Sequence, residues 1–504
     1  MARAHGPRWQ WKAGAALALT LALLAAACGD DSGGGDEESS DTTAATDAPE
    51  PVEESRFTGT EEFCAPAEDE PEEAPTASDD GITEDSISLT HIRLMLEDLE
   101  EIGFAADLGD QNDYATTFIN VLNDVCGGIN GRQVVLENVE IPVPGFAPDA
   151  EAVAQEACIT IAEEQRSVAA WSNSGVGVPL AGCLTGPNDV IFMTTYDLSA
   201  TDFEESEGRL FSVSHSPTDI LRYAALELGP DLEGARIGIV HGDTDPDPQV
   251  AQEGLVQTLE DQGLEVVRVD TLGCPDGPPC TEGLIESAQG MLADEVDVMF
   301  PLLDTVTMPS YLAELVTQGA APGDIQFYNT SFLAQDSELV TGKIIEFGGE
   351  DAGALYDGAV FISGAQSGQQ REDTFEPDPF TQMCNEVYAE NSANAQGVFD
   401  PQAGDDEARF YSSVAGHCAF VRMLARAIEA AGPNPTRADI AAALGNLGDV
   451  DLGEGAPGSF TPGKPTAPDA ITRLVFHYPC QIETDTAMGH CVQSEGDFLP
   501  LPEG

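Results

Sequence analysis

The chain has 504 residues, 90 of them Asp or Glu and only 19 Lys or Arg, for a formal charge of −71. A field of that sign repels nucleic acid and anionic membrane surfaces, so both are poor partners for this chain. Less an N-terminal stretch of different character, roughly 420 residues remain to fold, too many for one core and enough for two domains.

At the N-terminus, Arg3, Arg8 and Lys12 precede an apolar run from Ala13 to Ala27. A basic start, a short apolar core and small residues before a boundary are the pattern of a secretory signal peptide. The run is shorter than the ~20 residues that a membrane-spanning helix needs. Its end, Leu24-Ala25-Ala26-Ala27-Cys28-Gly29, resembles the lipobox of bacterial lipoproteins, with Ala25 where leucine is usual. In such proteins the cysteine receives a diacylglyceryl group and becomes the mature N-terminus. The resemblance implies a signal peptide over 1–27, lipidation at Cys28, and a place on the outer face of the bacterial cytoplasmic membrane. From Gly29 to Asp80 there are nineteen acids and one base, Arg56. Such a segment buries too little apolar surface to offset its ordering entropy, so residues 28–83 are expected to form a disordered acidic tether. As a flexible coil it would reach roughly 40 Å.

Beyond the tether, short β-like runs alternate with amphipathic stretches. "SISLTHIRL" (86–94) predicts a strand and "YATTFINVLNDVC" (114–126) a helix. Strand 132–141, helix 148–165 opening near Asp149, strand 167–173, a short helix at 178–184 and strand 189–195 follow. A second series starts after residue 228, with strand 235–242, helix 247–263, strand 264–272, a helix near 281–293, strand 296–303, helix 308–320 and strand 324–330. Then come strand 357–363, a long helical region at about 405–431, a helix at 436–445 and a last strand, 470–478. The βαβα order, met twice, predicts an α/β protein of two doubly wound parallel-sheet lobes.

Eleven cysteines occur, and setting Cys28 aside leaves ten, an even number that favours disulfides in an exported protein. Spacing suggests Cys274–Cys280 within "CPDGPPC" and Cys480–Cys491 closing a hairpin. Cys384 and Cys418 lie in successive helical patterns and could join them, and Cys158–Cys183 could tie a helix to the next. Cys64–Cys126 then remains, pinning the tether's end to the fold. No CxxC pair or tight Cys/His spacing marks a metal cluster, so neither metal nor cofactor is expected. Asp243, Asp245 and Asp247 in "DTDPD" lack the glycine and terminal glutamate of a calcium loop and are taken as a solvated acidic turn.

Three longer phrases carry a family resemblance. "CGGINGRQVVLENVE" (126–140), "AEAVAQEACITIAEEQRSVAAWSNSGVGVPLAGCL" (150–184) and "EARFYSSVAGHCAFVRMLARAIEAAGPNPTRADIAAALGNL" (407–447) are similar, in this order, to the type I periplasmic binding proteins. The branch they resemble is the Leu/Ile/Val-binding solute receptors of ABC importers. The resemblance implies a chain that crosses between lobes three times, near 213–216, 364–366 and 455–460. Lobe one would be 84–214 plus 366–456 and lobe two 215–365 plus 457–504, with a small solute held between them by lobe closure. It also implies an ABC permease in the membrane as partner.

Ser172, Asn173 and Ser174 form a strand-to-helix loop of small polar groups suited to a carboxylate or carbonyl. Ser174 matches the serine that grips the ligand carboxylate in amino-acid-binding relatives, and Thr194, Thr195 and Tyr196 match the second contact loop. Trp171 reads either as a cleft wall or as core packing. On lobe two the family pattern departs. "HGDTDPDPQ" (241–249) lacks the family's tyrosine, and where its acid for the ligand ammonium should lie stand Asn329, Thr330 and Ser331. Asp304 could supply that charge from the neighbouring loop. With Asp304 a branched-chain or related amino acid fits; without it an amide-like solute fits better, since a desolvated ammonium needs a charged acceptor.

No GxSxG elbow, HExxH pair or Walker-type loop is present, and the histidines share no ligand spacing, so the protein is not expected to be an enzyme. An alternative to the importer receptor is a surface ligand-sensing or adhesion lipoprotein that uses the same fold without transport.

Overall fold

A computed structural model describes residues 55–66, 73–96, 108–143, 149–195, 198–244, 247–275, 279–369, 375–395, 405–482 and 489–502. The expected signal peptide, Cys28, most of the expected tether and Tyr196 lie outside the described residues. The first lobe is laid down as β1 (Ser86–Met95), α1 (Gln111–Asp124), β2 (Gln133–Pro142), α2 (Ala150–Ile159), β3 (Ala169–Trp171), α3 (Val178–Thr185), β4 (Ile191–Thr194), α4 (Ala200–Glu205) and β5 (Leu210–Ser212). Its five strands are all parallel, in the order β2-β1-β3-β4-β5.

The second lobe repeats the plan. It runs α5 (Pro217–Leu228), β6 (Arg236–Gly242), a helix made of α6 (Asp247–Val250), a π-turn (Ala251–Val256) and α7 (Gln257–Asp261), then β7 (Glu265–Leu272) and α8 (Leu284–Ala293). Next come β8 (Val298–Leu302), α9 (Thr307–Gln318), β9 (Gln326–Thr330), α10 (Glu338–Gly348), α11 (Glu350–Tyr356) and β10 (Val360–Ser363). Strands β7-β6-β8-β9-β10 are again parallel and in the same order. The chain then adds α12 (Pro379–Asn391), α13 (Asp405–Ala430) and α14 (Arg437–Leu444) to lobe one, with the ribbon β11 (Gly448–Asp451) and β12 (Pro457–Phe460). It ends in β13 (Ala470–Ile482), β14 (Gly489–Ser494) and β15 (Leu499–Pro500) on lobe two's sheet, where β13 runs antiparallel to β10.

Both faces of each sheet are covered, which explains the near-continuous apolar strands. Side chains alternate between the faces: Ala169 and Trp171 enter the core under α1 and α13, while Ala170 enters the core under α2 and α3. In lobe two Met299 goes one way and Val298 and Phe300 the other. Helix starts follow local chemistry. Asp110, Asp149, Ser216, Ser337, Asp378 and Thr436 each accept a backbone N–H at the N-cap, and Pro217 and Pro379 occupy first-turn positions. Helices α10 and α11 had no strand-like or strongly periodic signature and were not expected from sequence; Gly348 and Gly349 divide a stretch too short to read as one helix. The expected single helix at 247–263 loosens into a π-turn where Gly254 packs on Thr218 and Leu221; a Cβ there would lie 2.6 Å from the Thr218 carbonyl.

Five disulfides join Cys64–Cys126, Cys158–Cys183, Cys274–Cys280, Cys384–Cys418 and Cys480–Cys491, the pairs expected from spacing, helix context and elimination.

Two boundaries need correction. The tether does not stay free up to residue 83: residues 55–66 and 73–83 form a strap on lobe one. Phe57 and Phe63 are buried in its core, and Phe63 stacks on Phe118 with ring centroids 5.7 Å apart. Arg56 pairs with Glu429 at 2.9 Å, and Arg422 donates to the carbonyls of Phe57 and Gly59. Arg132 donates to the carbonyls of Thr76 and Thr83, both at 2.7 Å. Composition averaged over the acidic stretch hid these few apolar anchors. The third passage between lobes also falls later than 455–460. Phe460 and Ala467 belong to the core of lobe one, Phe460 packing edge-on against Phe211, whereas Ile471 lies in a core of lobe two.

If the strap is part of the cooperative unit, Phe57→Ala lowers the unfolding free energy by about 3–5 kcal/mol. A chain beginning at residue 84 loses at least as much. Urea unfolding of the two variants measures this, and midpoints equal to that of the parent would refute it.

Candidate functional site

In a parallel sheet of order 2-1-3-4-5 the crossovers leave opposite ways around the first strand, opening a crevice at the carboxyl ends of strands 1 and 3. In lobe one that place is the end of β3, where the chain turns into Ser172, Asn173 and Ser174. Ser172 is fully buried; its N–H donates to the Met193 carbonyl at 3.0 Å and its hydroxyl accepts the Ser174 N–H at 3.3 Å. Asn173 lies against Gly416 of α13, where any Cβ would sit 3.0 Å from the Asn173 amide. Gly177, at φ +82°, then starts α3 with no side-chain cap, so the first amides of that helix lack a side-chain acceptor. On the neighbouring strand Thr194 donates its hydroxyl to the Thr195 carbonyl at 2.9 Å. The Thr195 hydroxyl is buried and has no hydrogen-bond partner. Trp171 is wholly buried between layers, which settles it as core packing.

In lobe two the same reasoning leads to the ends of β6 and β8. Asp304, just beyond β8, is occupied by its own turn. One carboxylate oxygen accepts the N–H groups of Val306 and Thr307, both at 2.9 Å, and the other accepts the Thr307 hydroxyl. Asn329 and Thr330 are fully buried. The Asn329 amide donates to the Pro301 carbonyl at 2.9 Å and accepts the Thr330 N–H at 2.9 Å, tying β8 to β9. The Thr330 hydroxyl accepts the Phe332 N–H at 3.1 Å, while the Ser331 N–H donates to the Ile362 carbonyl at 3.1 Å. These residues brace strand ends, and Asn329 and Thr330 have no surface to offer a ligand.

Sequence reading missed Asp336, in the turn after β9. Burial pushes its carboxyl up to about 6, opposed by a hydrogen bond from Ser363 at the end of β10, where the chain leaves lobe two. Within "FLAQDSELV" it looks like an ordinary helix approach, and nothing in the pattern signals its shifted carboxyl.

Beneath the lobe-one loop lies a pair of buried histidines, His91 of β1 and His417 of α13, with ring nitrogens 3.2 Å apart. His91 also meets the side-chain oxygens of Asn112 and Asn138, each at 3.2 Å, and His417 meets the Ser413 carbonyl at 2.8 Å. Burial holds both imidazoles well below the usual histidine range, and each charge would disfavour the other. Both rings are therefore neutral, and in each the Nδ1 that faces oxygen acceptors carries the proton, so two Nε2 lone pairs face one another.

A cavity of about 580 Å³ opens beside the second and third passages between the lobes. Its walls come from the approach to α12, from α13, from the turn between β11 and β12, and from the turn before β15. The Phe375 and Tyr411 rings meet edge-on there, 6.4 Å between centroids. Glu454 adopts φ +53°, its N–H donates to the Thr381 hydroxyl at 2.7 Å, and its carboxylate accepts the Ser412 hydroxyl. Burial, with Asp378 and Glu338 nearby, pushes Glu454 up to about 7. Among the described residues, none of those expected from sequence lines this cavity.

The model of the periplasmic binding protein family matches residues 105–472, well over half of the chain, and the protein belongs to that family. Solved structures agree on the fold. A substrate-binding periplasmic protein from Ralstonia solanacearum is 17% identical, with a TM-score of 0.53, covering 82% of this chain and 100% of its own. A solute-binding protein of an ABC transporter from R. palustris, in complex with 4-hydroxybenzoate, is 14% identical at TM-score 0.55, covering 83% and 98%. A branched-chain amino acid transporter substrate-binding protein from Streptococcus pneumoniae, in complex with isoleucine, is 12% identical at 0.52, covering 81% and 99%. No curated protein matches the chain.

Because their folded-state pKa values are lowered, His91 and His417 bind fewer protons folded than unfolded. Their contribution to stability is complete above about pH 6.5 and is lost as pH falls toward the lowered values. His417→Asn should flatten the fall in unfolding free energy between those limits. Urea titrations of both proteins across that window check it, and an unchanged slope refutes it.

Proposed function

We propose that this protein is the extracytoplasmic solute receptor of an ABC importer, anchored by a diacylglyceryl group on Cys28 and delivering a small polar solute to a membrane permease. The observation that carries the reading is the lobe-one strand-end loop. There an unpartnered buried hydroxyl, Thr195, borders the same crevice as the uncapped start of α3. A buried hydroxyl without a partner is costly, and a helix start without a side-chain cap is a ready acceptor site for an anion. Asn173, Ser174 and Thr195 are the proposed contacts of this lobe, with Tyr196 beside them, and the group they hold is a carboxylate. Relatives of this fold were solved with isoleucine, leucine and 4-hydroxybenzoate, all carboxylates.

On lobe two the amino-acid reading asks for an acid to meet the ammonium. Asp304 has its oxygens committed to capping α9, which leaves Asp336 as the better candidate. A carboxylate solute without an ammonium needs neither. The solute is thus a branched-chain or related amino acid if Asp336 serves, and a neutral-ended or aromatic carboxylate if it does not.

Thermal-shift screening of the lipid-free domain tests this with L-amino acids, hydroxybenzoates and small amides. A solute at about 100 times its Kd adds ~2.7 kcal/mol, a shift of a few degrees. The shift should vanish in Thr195→Val and Ser174→Ala, and for an amino acid also in Asp336→Asn. Silence for every carboxylate would overturn the reading. In cells, Cys28→Ser should release the protein from the membrane fraction; retention in that fraction would retire the lipid anchor.

A further inference from the structure

We propose that the cavity beside the second and third passages is a second binding site, for an organic cation carrying N–H donors: a protonated amine or a guanidinium. Among the described residues none of the strand-end loops lines it, and it does not depend on the transport reading.

The first observation is a pair of unsatisfied polar groups at one wall. Tyr411 is 2% exposed, and its hydroxyl has no hydrogen-bond partner. Asp378 caps α12 with one carboxylate oxygen, which accepts the Thr381 N–H at 3.0 Å, while its other oxygen is buried with no partner. Buried polar atoms are nearly always paired, and two orphans bordering one cavity call for a donor from outside the chain.

The second observation is charge. Asp378, Glu454, Glu376 and Asp497 border the cavity, and among the described residues no Lys, Arg or His does. In a chain with 90 acids and 19 bases an acidic wall is unremarkable by itself. What distinguishes this one is that Phe375, Tyr411 and Phe498 border the same space, and ring faces attract cations. An anion is excluded by the carboxylates, and a neutral solute leaves them uncompensated. A bare metal ion fits poorly too, since among the described residues no group of three His, Cys, Asp or Glu converges closely enough to hold one. The charge must therefore be spread over a larger body, and about 580 Å³ falls within the range of small-molecule sites. Because Asp378 and Tyr411 need something to accept, the cation should bring N–H groups rather than a fully alkylated nitrogen.

A supporting consequence concerns protons. Glu454 is raised to about 7 by burial and by Asp378 and Glu338, so at neutral pH it is partly protonated. A cation arriving beside it would favour the carboxylate and expel that proton.

The test is isothermal titration calorimetry of the lipid-free protein at physiological ionic strength. The probes are agmatine and butane-1,4-diamine, with butane-1,4-diol as the uncharged analogue and magnesium chloride as an inorganic cation. The proposal predicts one-to-one binding of the amines, no binding of the diol, and binding heats that change with the buffer's ionisation enthalpy, reporting proton release. Tyr411→Phe and Asp378→Asn should each weaken the amines about tenfold or more, the usual worth of a lost hydrogen bond to a charged group. Asparagine caps helices as well as aspartate does, so Asp378→Asn keeps α12. Glu265→Gln, on the exposed part of β7, should change nothing. Amines that bind with no single stoichiometry, equal binding of the diol or of magnesium, or full affinity in both cavity variants would overturn the proposal and leave only attraction to an acidic surface. Carboxylate-induced thermal shifts should persist in Tyr411→Phe, so loss of one site does not masquerade as loss of the other.

Discussion

Parallel strands cannot be joined by tight turns, so every pair in this protein is linked by a helix that packs back on the sheet, and both faces of each sheet end up buried. Much else in the structure follows from meeting that constraint twice in one chain. Around β1, and again around β6, the crossovers depart to opposite faces and leave a crevice between them at the strand ends. The late helices α12, α13 and α14 return to complete lobe one, which forces the chain to pass between lobes again. The cavity beside those passages is a by-product of that return.

Hydrogen-bond satisfaction then separates structural polar groups from those available for chemistry. Asp304, Asn329 and Thr330 are polar residues at strand ends, as a ligand loop requires, yet each spends its side chain on the protein's own backbone. Thr195, Asp378 and Tyr411 differ because one buried atom of each is left without a partner. Proximity to a strand end is a weak criterion on its own. An unmet bonding capacity at that place is a stronger one.

The strap shows how few residues can redirect a segment. Residues 55–66 belong to a stretch whose net composition favours disorder, but Phe57 and Phe63 reach the lobe-one core, and Cys64 locks them there. Arg56, the single base of the stretch, is spent on Glu429 and on the carbonyls of Cys126 and Gly128. For these residues two aromatic anchors and a disulfide outweigh the average charge.

Much of the fold was legible from sequence because its determinants are local. Periodicity marked β1 to β4, β6 to β10 and β13 and most helices, capping residues such as Asp149 and Thr436 marked starts, and spacing, helix context and elimination together pointed to the five cysteine pairs. Short helices such as α10 and α11 escaped, as did the extension of β13 past residue 478, since tertiary packing rather than propensity holds them. For the site, Ser172, Asn173 and Ser174 were visible as a loop between a strand and a helix. By contrast, the raised carboxyl of Asp336, the commitment of Asp304 to α9 and the meeting of Phe375, Asp378, Tyr411, Glu454 and Phe498 were invisible. These residues are separated by up to 123 positions in the chain, counting from Phe375 to Phe498.

By itself, then, the sequence determined that the chain is α/β, two-lobed and disulfide-bonded, because helix and strand periods, caps and spacings are written in neighbouring residues. Only the tertiary structure decided which polar groups are satisfied, where the third passage falls and what surrounds the cavity. Burial and pairing depend on partners brought from distant segments, and no local pattern encodes the environment those segments create when they meet.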